Sequence, residues 1–152
     1  MNLVLFDAVA TEALGGALAR ALKGRGAAVI YLEGDLGAGK TTLARGFLRA
    51  LGVKGAIRSP TYTLMEPYQV GALEILHIDL YRLDDPVELH NLGLADYPPD
   101  RSFWLLEWPQ RGAGVLPKPD VGVRLLHDGI QRRTSITGLS EREQSEISIQ
   151  PS

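Results

Sequence analysis

The sequence predicts an α/β domain, and three observations predict it. AAVIYLE (27–33) is an apolar, β-branched run of the kind that forms a buried strand. It leads through a glycine-rich stretch into KTTLARGFLRAL (40–51), which places Leu43, Phe47, Leu48 and Leu51 on one side of a helix. A second core-type strand, SFWLLEW (102–108), follows after further helical signals, so strands and helices alternate. With 152 residues the chain suits one domain, expected over 1–139, large enough to bury a core without cross-links.

The remaining elements are read in chain order. NLVLF (2–6) predicts a short strand. Thr11 stands where a helix N-cap belongs, with Glu12 favouring the positive helix end. Leu14, Leu18 and Leu22 then recur at helical spacing, and Gly24 and Gly26 end the helix. IRSPTYTL (57–64) reads as a loop entering a strand. TLMEPYQV (63–70) and LEILHIDLYRL (73–83) flank Gly71-Ala72 as a hairpin. DPVELHNLGLADY (85–97) predicts one or two short helices, with Pro86 near a helix start. DVGVRLLH (120–127) and RRTSITGL (132–139) predict a last strand pair around the Asp128-Gly129 turn. The segment 140–152 is polar, lacks an apolar period and is expected to be a solvated tail.

Composition narrows the function classes. A net charge of −2 gives no general polyanion-binding surface, and Arg132-Arg133 is too small a basic spot to hold a duplex. Without cysteine there is neither a disulfide nor a thiolate metal site. MNLVLFDAVA lacks a basic n-region and a long apolar core, and no apolar run reaches membrane-spanning length. A soluble cytoplasmic protein with no membrane partner is expected.

Gly34-Asp35-Leu36-Gly37-Ala38-Gly39-Lys40-Thr41 fits the phosphate-loop pattern G-x-x-x-x-G-K-[ST]. Glycines let successive N–H groups of such a loop turn toward phosphate oxygens, and the following helix adds its positive end. Lys40 is the candidate for the β- and γ-phosphates, and Thr41 offers a hydroxyl to magnesium. Thr42 completes the stretch. The plain alternative is a glycine-rich turn with a solvent lysine, which the strand before and the helix after argue against.

Glu107 ends a core-type strand and is a candidate to hold magnesium, directly or through water; its plain alternative is an exposed strand-end acid. Glu33 also ends a strand but is less well placed. In HIDLYR (77–82) alternation puts His77, Asp79 and Tyr81 on one face. Asp79 is a candidate to bind magnesium through water or to orient an attacking water, against the alternative of a solvent-facing hairpin edge. His77 reads as structural, and His90 and His127 lack zinc-ligand spacing. Ser59 and Thr61 are candidates to sense a γ-phosphate. Trp108 is assigned to the core, with a partner contact as the alternative. No N-K-x-D guanine reader is present; the nearest string is PKPD (117–120), which favours ATP.

GDLGAGKTT, SPTYTL, HIDLYRLDDPVEL with LGL, and LLEWPQR with LLP occur in this order, and together they resemble the TsaE family, formerly YjeE, over about residues 5 to 138. The resemblance implies a small bacterial ATPase of three-layer P-loop NTPase-like fold, with a mixed central sheet flanked by helices, using ATP and Mg2+. Such proteins assist synthesis of threonylcarbamoyladenosine on tRNAs that read codons starting with A. They dock on the TsaB–TsaD pair, hydrolyse ATP slowly alone, and touch tRNA only through that complex.

By motif, Lys40 and Thr41 would hold phosphates and magnesium, Glu107 would be the magnesium carboxylate and Asp79 the second acid. Thr61 and Tyr62 fall in the switch-like segment, and Trp108 in the E-W pair. Members resemble G-R-R before the last strand; here GIQRR carries two extra residues, and Arg133 or its neighbour Arg132 would face the nucleotide. Thr11 is a candidate for the adenine side. Two other readings stay open: a small-molecule kinase, and a non-catalytic adaptor gated by nucleotide.

Overall fold

A computed structural model describes residues 1–147. Seven strands form one mixed sheet: β1 (Asn2–Leu5), β2 (Ala28–Gly34), β3 (Met65–Val70), β4 (Leu73–Asp79), β5 (Phe103–Glu107), β6 (Val121–Asp128) and β7 (Gln131–Thr137). Their order is β1-β7-β6-β2-β5-β4-β3. β6, β2, β5 and β4 run parallel through the centre, while β1, β7 and β3 join antiparallel. The apolar run of β2 is explained by this position, since it is covered on both faces.

Side chains alternate between two cores, as strand geometry requires. Ile30, Leu32, Phe103 and Leu105 pack with two helices, α1 (Ala8–Leu22) and α2 (Lys40–Leu51). Val29, Leu76, Ile78, Trp104 and Leu106 fill the opposite face. That face is covered by short 3-10 turns at Pro86–Asn91, Leu94–Asp96 and Pro109–Gly112 rather than by long helices.

α2 begins and ends at the residues its glycines dictate. Gly39 and Gly52 flank it with φ of 109° and 107°, a region open chiefly to glycine. The two helices meet through small residues: a β-carbon on Gly15 would lie 2.0 Å from the Leu43 carbonyl oxygen, and one on Gly46 would lie 2.0 Å from that of Glu12.

Three expectations need correction. The N-cap of α1 is Asp7, whose carboxylate accepts the Ala10 N–H at 2.8 Å. Thr11 lies inside the helix, buried, with its hydroxyl donating to the Asp7 carbonyl at 3.1 Å. β4 is not an exposed hairpin edge, because β5 pairs along it in parallel and β3 takes the edge. From Ser140 the chain is not simply solvated: α3 (Glu141–Glu146) starts with a capping box between Ser140 and Glu143, and Ile147 enters the core. Arg25 clasps it, donating to both Glu143 carboxylate oxygens at 2.7 and 2.6 Å. Residues 148–152 of the expected tail lie outside the described residues.

Candidate functional site

Parallel strands bring their carboxyl ends to one edge of the sheet, where open α/β sheets hold ligands. β2 ends there in Gly34, β4 in Asp79 and β5 in Glu107, with Asp79 and Glu107 directly paired in register. A cavity of about 480 Å³ opens at this edge. Lys40, Thr41, Thr61, Asp79, Glu107 and Trp108 are among its walls.

Gly37 and Gly39 turn the loop through positive φ, 77° and 109°. The first hydrogen bond of α2 joins the Leu43 N–H to the Gly39 carbonyl at 2.9 Å. The N–H groups of Lys40, Thr41 and Thr42 therefore precede the helical ladder and are free for an anion. Lys40 is folded back: its Nζ donates to the carbonyls of Gly34 and, at 3.0 Å, Asp35, and lies 4.3 Å from the Trp108 ring centre. Burial lowers the Lys40 pKa, while the charges of Glu107, Asp79 and Asp35 oppose that shift.

Glu107 is buried and held from two sides. The Thr41 hydroxyl donates to its oxygens at 3.0 and 3.1 Å, and His77 Nε2 lies 2.6 Å from Oε2. Asp79 accepts the Tyr81 N–H on Oδ1 at 3.0 Å. Burial raises its pKa, and the Tyr81 bond only partly offsets this.

Trp108 meets the core assignment in part, since it packs against the edge of the Leu76, Trp104 and Leu106 core and also faces the cavity. It is half-buried at φ 58°, tilted against Tyr81 at 5.0 Å, and walls the cavity. Thr61 reaches the cavity and shares a 2.7 Å hydrogen bond with Ser59. Tyr62 is 81% exposed, with the Arg82 guanidinium 4.4 Å over its ring. Glu33 pairs with Arg124 at 3.1 Å, away from the cavity.

Thr11 lies in a smaller adjoining hollow with Gly37, Gly39, Thr42 and Arg132. Arg132 Nε donates to the Ala38 carbonyl at 3.2 Å, so it is the arginine at the loop. Arg133 is not brought there: it bonds Asp128 at 3.2 Å with its side chain 72% exposed. Strand alternation explains the difference, since neighbours on β7 face opposite ways. The loop residues Asp35, Leu36 and Ala38 complete the turn between β2 and α2, with Ala38 buried and Leu36 exposed. Sequence reasoning missed His77 as the partner of Glu107 and Arg82 as a wall. The alternation of HIDLYR carried the first signal, because it put His77 on the face of Asp79.

The family model described as Threonylcarbamoyl adenosine biosynthesis protein TsaE matches residues 5–135. The chain belongs to the TsaE family. A TsaE protein of Haemophilus influenzae is 50% identical over 99 residues, covering 65% of this chain and 63% of its own length. One of Bacillus subtilis is 36% identical over 115 residues, covering 75% of this chain and 72% of its own. Both carry the name tRNA threonylcarbamoyladenosine biosynthesis protein TsaE. The crystal structure of Bacillus subtilis YdiB superposes with a TM-score of 0.72 at 27% identity, covering 96% of this chain and 90% of that one. The TsaE match takes in the phosphate loop, both acids and Arg132, so the cavity lies wholly inside the family's span.

Proposed function

We propose that the chain is an ATP-binding, Mg2+-dependent hydrolase, slow alone, that serves threonylcarbamoyladenosine synthesis on tRNAs reading codons starting with A. TsaB-like and TsaD-like subunits are its partners in this reading, and tRNA is reached through them. The observation that carries it is the convergence of Lys40, Thr41, Asp79 and Glu107 on one cavity at the helix N-terminus. The tRNA role is supported by the names of the family and of its relatives.

The residues suit a triphosphate with magnesium. Among the described residues no group of three or more His, Cys, Asp or Glu is placed to hold a metal by itself. That suits an ion which keeps water and takes ligands from substrate phosphates and one or two side chains. Thr41 would ligate it, and Glu107, already hydrogen-bonded to that hydroxyl, would hold it directly or through water. Magnesium supplies charge neutralisation at the phosphate oxygens. Lys40 exchanges its bonds to the Gly34 and Asp35 carbonyls for phosphate oxygens, and the N–H groups of α2 hold the rest. Asp79 keeps one carboxylate oxygen free of the Tyr81 N–H, and that oxygen orients the attacking water. Arg82 is the arginine among the described residues of the cavity wall, and its guanidinium stacks over the Tyr62 ring; slow hydrolysis that a partner accelerates would follow if the partner supplies the transition-state clamp. A net charge of −2 fits a protein whose partners hold the tRNA.

The test is ATP hydrolysis with magnesium, first with the chain alone and then with TsaB-like and TsaD-like subunits and tRNA. Low activity that rises with the partners is the expected result. Consumption that ignores the partners and requires a small hydroxyl acceptor would establish a kinase instead. Multi-turnover modification by a Glu107→Ala protein would leave only a nucleotide-gated adaptor.

A further inference from the structure

We propose that His77 is a positioning residue that orients the Glu107 carboxylate toward the cation site; this rests on the magnesium-dependent reading above.

His77 and Glu107 are both buried, 1% and 2% exposed, and His77 Nε2 sits 2.6 Å from Glu107 Oε2. An ionised carboxylate only accepts, so Nε2 carries the hydrogen and donates. The other ring nitrogen, Nδ1, is buried and has no hydrogen-bond partner among the described residues. An orphaned polar atom in a core is costly, and an apolar side chain of similar size would avoid it. Packing therefore does not account for a histidine here; the bond it donates to Glu107 does.

That bond settles something Thr41 leaves open. The Thr41 hydroxyl lies nearly equidistant from the two carboxylate oxygens, at 3.0 and 3.1 Å. A single hydroxyl shared in this way does not fix which oxygen faces the cavity. His77 bonds Oε2 alone, which leaves Oε1 as the oxygen with no partner but the shared Thr41 hydroxyl. The donor is carried on an interior strand, two residues before Asp79 and on the same face. One strand thus supplies both the second acid and the group that aims the first. Donors behind a metal-binding carboxylate act on metal affinity in this way, and their loss typically costs ten- to a hundredfold.

The experiment compares His77→Asn and His77→Gln with the parent chain. A glutamine N–H reaches about where Nε2 stands, whereas an asparagine amide stops short of Glu107. Binding of a non-hydrolysable ATP analogue is measured by calorimetry across a magnesium series and in chelator. Asparagine should raise the magnesium needed for half-maximal effect about tenfold or more, with analogue affinity in chelator unchanged. Glutamine should restore most of the loss, and hydrolysis should follow the same order. Should the asparagine protein not fold, His77→Leu replaces it, being apolar and unable to donate. A purely structural His77 would lower the melting temperature of the variants but leave their magnesium requirement at the parent's, and that result overturns the proposal. If the parent itself binds the analogue equally with magnesium and in chelator, the magnesium-dependent reading falls and this inference with it.

Discussion

Asp79 is in an environment that works against its own ionisation. Burial holds its carboxyl above the ordinary 3.8, against the opposing Tyr81 N–H. The folded protein therefore keeps the proton more readily than the unfolded chain does. Folding is undisturbed by this group below 3.8 and is progressively penalised as pH rises through the folded value. Asp79→Asn, which still accepts the Tyr81 N–H, should unfold at higher urea than the parent at pH 7 while losing hydrolysis. At pH 3 the two midpoints should converge, and a gap unchanged with pH would contradict the burial argument. Lys40→Ala should lower the hydrolysis rate about a hundredfold or more in a magnesium-dependent phosphate-release assay, the scale on which single charge-stabilising donors act. These residues were legible because each is tied to a local pattern: a glycine loop, or an acid closing an apolar run. Trp108 and Arg133 were not. Trp108 packs on the edge of the core and also walls the cavity, a double placement that no local pattern shows, and the fitting arginine on β7 depends on a register that a two-residue insertion obscures.

At the scale of elements, the crossing of α1 and α2 is set by glycines rather than by large side chains. Replacing a mid-helix glycine with alanine ordinarily stabilises by about 1 kcal/mol. Gly46→Ala should do the reverse here, because its new methyl meets the backbone of α1. A loss of about 1–3 kcal/mol is expected from urea unfolding, as for other overpacked cores. The same shift would move Thr11 relative to Gly39, with which it lines the smaller hollow. α2 was readable end to end, since its limits are written in glycine. The start of α1 was not: Asp7 and Thr11 are both capping residues, and only tertiary burial tells which is outside. α3 was passed over although its S-x-x-E capping box was in view, because six residues without an apolar period form a helix only when something holds them. Arg25 is that something, and it holds the Glu143 carboxyl down at about 2 from an ordinary 4.5. The clasp therefore contributes above 4.5 and is lost as pH falls toward 2. In Arg25→Ala the Glu143 pKa should climb back toward 4.5, as carbon-detected NMR titration would show.

For the molecule as a whole, the α/β class was legible from alternating elements, but strand order was not. Nothing local in NLVLF announces a partner at the far end of the chain, whereas the short helical turns within 85–97 were readable from Pro86 and the broken apolar pattern. Ligand binding offers a global test. A site that binds only the folded state raises its stability by about 2.7 kcal/mol at a hundredfold excess over Kd. Magnesium with the ATP analogue should raise the melting temperature of the parent and leave Lys40→Ala unmoved. The sheet order has a further consequence, for synthesis rather than for the finished protein. Residues 2–5 pair with residues 132–135, so the first strand made waits for the last before it has a neighbour. β6 and β7 stand between β1 and the rest of the sheet. A nascent chain can emerge with its phosphate loop, both acids and their strands already out of the ribosome, yet β1 stays unpaired until the C-terminal hairpin follows. A full-length chain still held by its last residues in the ribosome should thus leave residues 2–5 open to protease, and release of the chain should close them.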